Sequence, residues 1–207
     1  REAAASFLVQ TISPRDEGFL IDFNTRIRLL QPRTGDRAKL QEAFNAIVPD
    51  GGTALYDSIL FSMLQFDRQQ GRRGLVVLTD GYDVNSQADP NRAVEFGKKL
   101  GVPIYILAME AGGSPRVPPR GGGGASDATR VLHLLTDPTG GRLFRVLSME
   151  HLRDALRIIN SEMRNQYVLT YYTDTPPTAG DPPKVRLEVE KPKNFVVKVV
   201  FGQDQVY

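Results

Sequence analysis

The run Leu75-Val76-Val77-Leu78 constrains this chain most. It is apolar, shows no polar alternation, and ends at once in Thr79-Asp80-Gly81. A strand reads this way when both of its faces are covered, as in the parallel sheet of an α/β domain. Such sheets bind ligands outside the carboxyl ends of their strands. Asp80 therefore stands where a site is expected, and the remaining residues have to be read for what could complete it.

The pattern on either side of this strand alternates between helix and strand. Ala3, Ala4, Phe7, Leu8 and Ile12 recur at helical spacing and predict a helix over 1–12 with no start signal of its own. Residues 19–23 and 27–30 predict a hairpin across Asn24-Thr25-Arg26. Leu40, Ala43, Phe44 and Ile47 predict a helix with Asp36 as N-cap, broken by Pro49-Asp50-Gly51-Gly52. Leu55, Ile59, Met63 and Phe66 predict another, starting just after Thr53. Asp89-Pro90 opens a third, with the proline at its first position, and Gly101 with Pro103 closes it.

Residues 103–109 read as the next buried strand and 111–126, rich in glycine and proline, as a mobile loop. A short helix over 127–136, a strand over 142–146 and a helix over 149–163 follow, the last with Leu152, Ala155, Leu156 and Ile159 facing inward. Beyond Asn165 the helices stop. Residues 167–172, 185–189 and 195–201 read as strands, and Val185, Leu187 and Val189 alternate with Arg186 and Glu188 as in a one-sided antiparallel strand. The expected architecture is a doubly wound, mostly parallel α/β domain over 1–165 with helices on both faces. An antiparallel β extension over 166–207 packs on it.

Composition removes several function classes. Acids and bases nearly balance, with a net charge of +2, and they are interspersed; Arg72-Arg73 and Lys98-Lys99 are the only adjacent basic pairs. A nucleic-acid surface needs a basic stripe, so no nucleic-acid partner is expected in spite of a pI near 8.9. There is no cysteine, hence no disulfide and no thiolate metal site. No apolar run approaches the ~20 residues that span a bilayer, and no signal peptide is read at the amino end. The chain opens on Arg1 with a helical pattern under way, as if cut from something longer.

Gly51-Gly52-Thr53 precedes a helix and Thr79-Asp80-Gly81 follows a strand. A hydroxyl and a carboxylate are hard oxygen ligands of the kind Mg²⁺ and Ca²⁺ take, and the glycines allow close backbone approach. Plainer readings stand beside these. Thr53 also reads as a helix N-cap, Asp80 as an acid bonded to loop amides, and Asp83 as a turn or cap residue. His133 and His151 read as structural or surface residues, Gly121 to Gly124 as a linker, and Tyr167, Tyr171 and Tyr172 as sheet packing.

Gly52-Thr53-Ala54-Leu55-Tyr56-Asp57, Val76-Val77-Leu78-Thr79-Asp80-Gly81-Tyr82-Asp83 and Val102-Pro103-Ile104-Tyr105-Ile106-Leu107, in this order and spacing, resemble the von Willebrand factor type A domain. The tail from Asn165-Gln166-Tyr167-Val168-Leu169-Thr170 is similar to the bacterial branch often called acidobacterial VWFA-related proteins. The resemblance implies a binding module rather than an enzyme, with a metal-ion-dependent adhesion site built by three loops. It maps the second loop's threonine onto Thr53 and the third loop's aspartate onto Asp80. Mg²⁺, or Ca²⁺ or Mn²⁺, would complete its shell with an acidic group of a protein partner. The same resemblance implies an extracytoplasmic or secreted location.

The first loop of that family carries Asp-x-Ser-x-Ser, and this sequence contains no such motif. The expectation is a domain lacking its first strand and main metal loop, with two bare sheet edges where that strand would lie. Thr53 and Asp80 alone are too few donors for a cation that takes six or more oxygens. A structural domain that never uses metal is the alternative; Asp-x-Ser-x-Ser just upstream of Arg1 would favour the first reading and its absence the second. A hydrolase is disfavoured, because the chain has no Gly-x-Ser-x-Gly elbow and no cysteine nucleophile, and neither histidine sits in a loop after a strand.

Overall fold

A computed structural model describes residues 9, 11–13, 15–48, 50–66, 71–79, 83–109 and 125–166, without the side chains of 125–128. The helix expected over 1–12 lies mostly outside this set. So do Asp80, the glycine run and the extension from 167 on, with Tyr167, Tyr171 and Tyr172.

Within it, β1 (Gly18–Phe23) and β2 (Ile27–Thr34) form an antiparallel hairpin, and α1 (Arg37–Asn45) lies against it. Asp36 caps α1 by accepting from the amides of Ala38 and Lys39. Leu40 is the buried contact of that helix. The Asn24 amide turns back to the Arg26 carbonyl, and Asp22 pairs with Arg28 across the strands. Pro32 sits in β2, which among the described residues has β1 as its one ladder partner, an edge position that tolerates proline.

The second sheet holds β3 (Leu75–Thr79), β4 (Ile104–Met109) and β5 (Leu143–Val146), all parallel and in that order. Its faces separate by strand alternation. On one, Leu75, Val77, Ile104 and Ile106 meet α2 (Leu55–Met63), α3 (Pro90–Leu100) and α4 (Ala125–Thr136). On the other, Val76, Leu78, Tyr105, Leu107 and Val146 meet α5 (Met149–Arg164), through Leu152, Ala155, Leu156 and Ile159. The expected inward face of α5 is thus the observed one. Helix boundaries at Asp89-Pro90 and at Gly101, whose φ is 62°, also follow the sequence signals.

One expectation needs correction. The run at 75–78 reads as covered on both faces, yet Val76 and Leu78 are only half-buried, while Ile104 to Leu107 are wholly buried. The cause is position in the sheet. Among the described residues β4 has a partner on each side, whereas β3 has one on one side only. The β1–β2 hairpin is not its ladder neighbour, although Phe19 and Phe23 of β1 pack on the same core as Leu75 and Val77. Helix α2 bridges the two sheets, with Leu55, Ile59 and Met63 fully buried and contacts to β1, β2 and α3.

Gly141 passes directly over the start of β4, and a Cβ there would lie 1.8 Å from the Ile104 carbonyl oxygen. That backbone cannot yield without breaking the sheet. Gly141→Ala is expected to lower stability by about 3 kcal/mol or more. Gly101→Ala, in open space but at positive φ, is expected to cost only about 1–2 kcal/mol. Urea unfolding of both variants checks this; equal losses would refute the close-approach argument.

Candidate functional site at the carboxyl ends of the strands

The first residue in question is Thr53, half-buried before α2. It is not the N-cap: Ala54 holds that position, and its side chain cannot cap. Thr53 is fixed through its backbone. Its N–H donates to the Asn85 side-chain oxygen at 3.1 Å, and its carbonyl accepts from Val84 N–H at 2.9 Å and Asn85 N–H at 3.1 Å. From the other side the Ala54 N–H reaches the Asn24 carbonyl at 2.8 Å. The β1–β2 turn, the 51–54 loop and the chain after β3 therefore converge on one face.

Gly52 is required by this convergence. A Cβ there would lie 1.9 Å from Asn85 Oδ1, and Gly51 adopts φ 77° against Thr25. The glycines expected to allow close approach do so, toward the neighbouring loop.

A helix that starts at an alanine leaves its first N–H groups without local partners. Here the partners come from the 83–88 loop. Asp83 accepts from Tyr56 N–H at 3.0 Å, and Ser86 Oγ accepts from Asp57 N–H at 3.0 Å. Asp83 also takes the Ser86 amide at 3.0 Å and its hydroxyl. In return the Asp57 carboxylate accepts from Gln87 N–H at 2.9 Å and Ala88 N–H at 3.0 Å. Asp83 is thus a cap, as one of its sequence readings has it, but a cap to a helix 27 residues earlier in the chain. Asp57, Asn85 and Ser86 were not singled out from the sequence. The available signal was a helix start lacking a capping side chain, together with a polar Asp83-Val84-Asn85-Ser86 stretch free to supply one.

Thr79 is buried at the end of β3, and the next residue is Asp80, outside the described set, so the Thr53–Asp80 separation is not part of the described geometry. His133 and His151 are exposed on α4 and α5. His133 pairs with Asp137, and His151 Nδ1 accepts from Leu147 N–H at 3.3 Å in the Ser148 cap. Both are surface residues of helices, as read from the sequence.

Among the described residues, the donors around Thr53 do not by themselves make up the shell of a divalent cation. Among the described residues no group of three or more histidines or acids converges. The two carboxylates nearest in the network, Asp57 and Asp83, have both oxygens engaged by N–H or O–H donors. A cation there would share those oxygens with the N–H and O–H groups already on them.

Comparison with known proteins now bears on the fold. Residues 1–82 match the family model described as von Willebrand factor type A domain. That match covers 82 of the 207 residues, and the likeness to solved structures extends the type A fold over most of the chain. Its structure is similar to a von Willebrand factor type A protein from Catenulispora acidiphila, at 18% identity and TM-score 0.65. That likeness covers 81% of this chain and 38% of the other, so the chain spans well under half of that relative's length. It is similar at 20% identity and TM-score 0.59 to an aerotolerance-related membrane protein of Bacteroides fragilis carrying multiple mutations to serines, covering 80% and 87%. The type A domain of the type V pilus tip protein Mfa5 from Porphyromonas gingivalis aligns at 12% identity and TM-score 0.60, covering 84% and 90%. Identities this low speak for the type A fold alone. No curated protein matches by sequence. Type A domains generally mediate protein interactions or assembly. In this chain, no helix among the described residues is long and apolar enough to cross a membrane.

Tyr56 lies half-buried next to this network. Burial first, and the Asp83 charge second, push its phenol up to about 12. Unfolded, it would titrate near 10. The folded state therefore keeps a proton that the unfolded state has lost, and stability falls with rising pH across that window. Burial raises Tyr105 in the same direction. Circular dichroism is expected to show stability whole below pH 10 and declining toward about 12, with Tyr56→Phe flattening part of the slope. An unchanged slope in that variant would contradict the assignment.

Proposed function

We propose that this type A domain is a protein-interaction module, not a catalyst, and that it works through the face at the carboxyl ends of its strands. The observation that supports the reading is the convergence on Thr53: three chain segments form one pre-built rim there. Val84, bonded through its N–H to Thr53, stands exposed on that rim at 59% of its full accessibility. An apolar side chain displayed on a polar rim suits a protein partner.

The finer reading concerns the metal. Thr53 and Asp80 are the candidate donors, and a parent protein that adds further oxygens would hold Mg²⁺, Ca²⁺ or Mn²⁺ against an acidic partner group. This chain alone holds such an ion weakly or not at all. The hydrogen bonds by which Asp57 and Asp83 already join the loops favour a second reading as well, a metal-independent assembly domain. The resemblance of the tail to an exported bacterial branch supports a place outside the cytoplasm, as do the membrane and pilus-tip proteins among similar structures.

A photo-crosslinking residue at Val84 is expected to trap a discrete partner in the native host, while one at Lys98, at the opposite end of α3, is not. The same adducts from both positions, or none from Val84, would overturn the interaction face. Calorimetry on the 207-residue chain is expected to show no Mg²⁺ binding tighter than about 1 mM. Tight binding would refute the incomplete-site reading, and loss of the Val84 adduct in Asp80→Ala would favour metal use over metal-independent assembly.

A further inference from the structure

The hydrogen bonds between the 83–88 loop and the start of α2 form a closed circuit. The Ser86 hydroxyl has one proton, and it goes to Asp83. That fixes the lone pair of Ser86 toward the Asp57 N–H. Asp57 in turn holds the amides of Gln87 and Ala88, which follow Ser86 directly. Each bond orients the group that makes the next. Two of the partners are carboxylates accepting from N–H groups, which makes the bonds stronger than neutral ones. The positive end of the α2 dipole adds to the attraction for Asp83. The circuit ends against Thr53, through Val84 and Asn85.

We propose that Asp83 and Ser86 are the positioning residues of this face: they lock the loop after β3 onto the start of α2 by hydrogen bonds alone, so that Thr53 is held in place without a cation. This rests on the reading of that face as the working one. Linking separate loops is the structural task that a shared cation would otherwise perform, and here hydrogen bonds to the Asp57 and Asp83 carboxylates already link them. The face is therefore formed before any ion or partner arrives.

Amide hydrogen exchange on the whole chain tests this. Protection at Tyr56, Asp57, Gln87 and Ala88 is expected to be the same in EDTA and in saturating Mg²⁺. Ser86→Ala is expected to lower protection about tenfold or more at Asp57, which it bonds directly, and also at Gln87 and Ala88, which it does not. Ser86→Thr, which keeps the hydroxyl, is expected to restore it. Asp83→Ala should produce the same joint loss; if that variant does not fold, the Ser86 pair decides. Protection that appears only with Mg²⁺ overturns the proposal, and so does a loss confined to Asp57 in Ser86→Ala. No partner is needed for the measurement, so failure of the circuit and failure of the interaction face give separate results.

Discussion

The amino end of α2 is the constraint on which the rest depends. This helix lies between the hairpin and the parallel sheet, with Leu55, Ile59 and Met63 buried in the shared core. Its first turn must therefore sit among other chain segments, and its N–H groups need partners from them. Because it begins at Ala54, no local side chain can serve. Asp83 and Ser86 supply the acceptors, and supplying them draws the loop after β3 onto the 51–54 loop. A helix cap contributes about 1 kcal/mol in ordinary cases. Here it also decides which loops meet at the carboxyl ends of the strands.

The sheet explains why that meeting point is stable. β4 is covered on both faces and bounded by a strand on each side, so its Ile104 to Leu107 stretch is inaccessible to solvent. β3 hangs on β4 by a parallel ladder from Leu75 to Thr79. The position of Thr79 is set by the strand whose Ile104 to Leu107 stretch is wholly buried. The hairpin is joined differently. Phe19 and Phe23 share the core, and Phe19 meets Phe66 edge-on with ring centroids 5.1 Å apart, but no ladder joins β1 to β3 among the described residues. Among the described residues the two sheets are held together by side chains and by α2, not by a strand ladder.

Most elements were legible because their signals are local. Asp36, Asp89-Pro90 and Gly101 act on amides and carbonyls within a few residues, so their caps can be read without knowing the fold. The apolar period of α5 likewise reports its own buried face. The type A resemblance was legible for a related reason: its short runs lie at strand ends and helix starts, where the local pattern is strongest. What was misread at 75–78 is a matter of neighbours. Four apolar residues say that a strand is covered, not how many strands stand beside it or how completely each face is closed.

The same distinction holds at the site. By itself the sequence determined that Thr53 precedes a helix, that Asp80 follows a strand, and that glycines flank the former; backbone preferences act residue by residue. Only the tertiary structure decided that the carbonyl of Thr53 would receive two amides from the chain after β3, or that Asp57 and Asp83 would face each other's loops. Those partners are 27 to 32 residues apart, and no local rule selects among the acids that could reach. Burying α2 between two sheets is what creates the demand for acceptors at its amino end, and that demand exists only once the chain has folded.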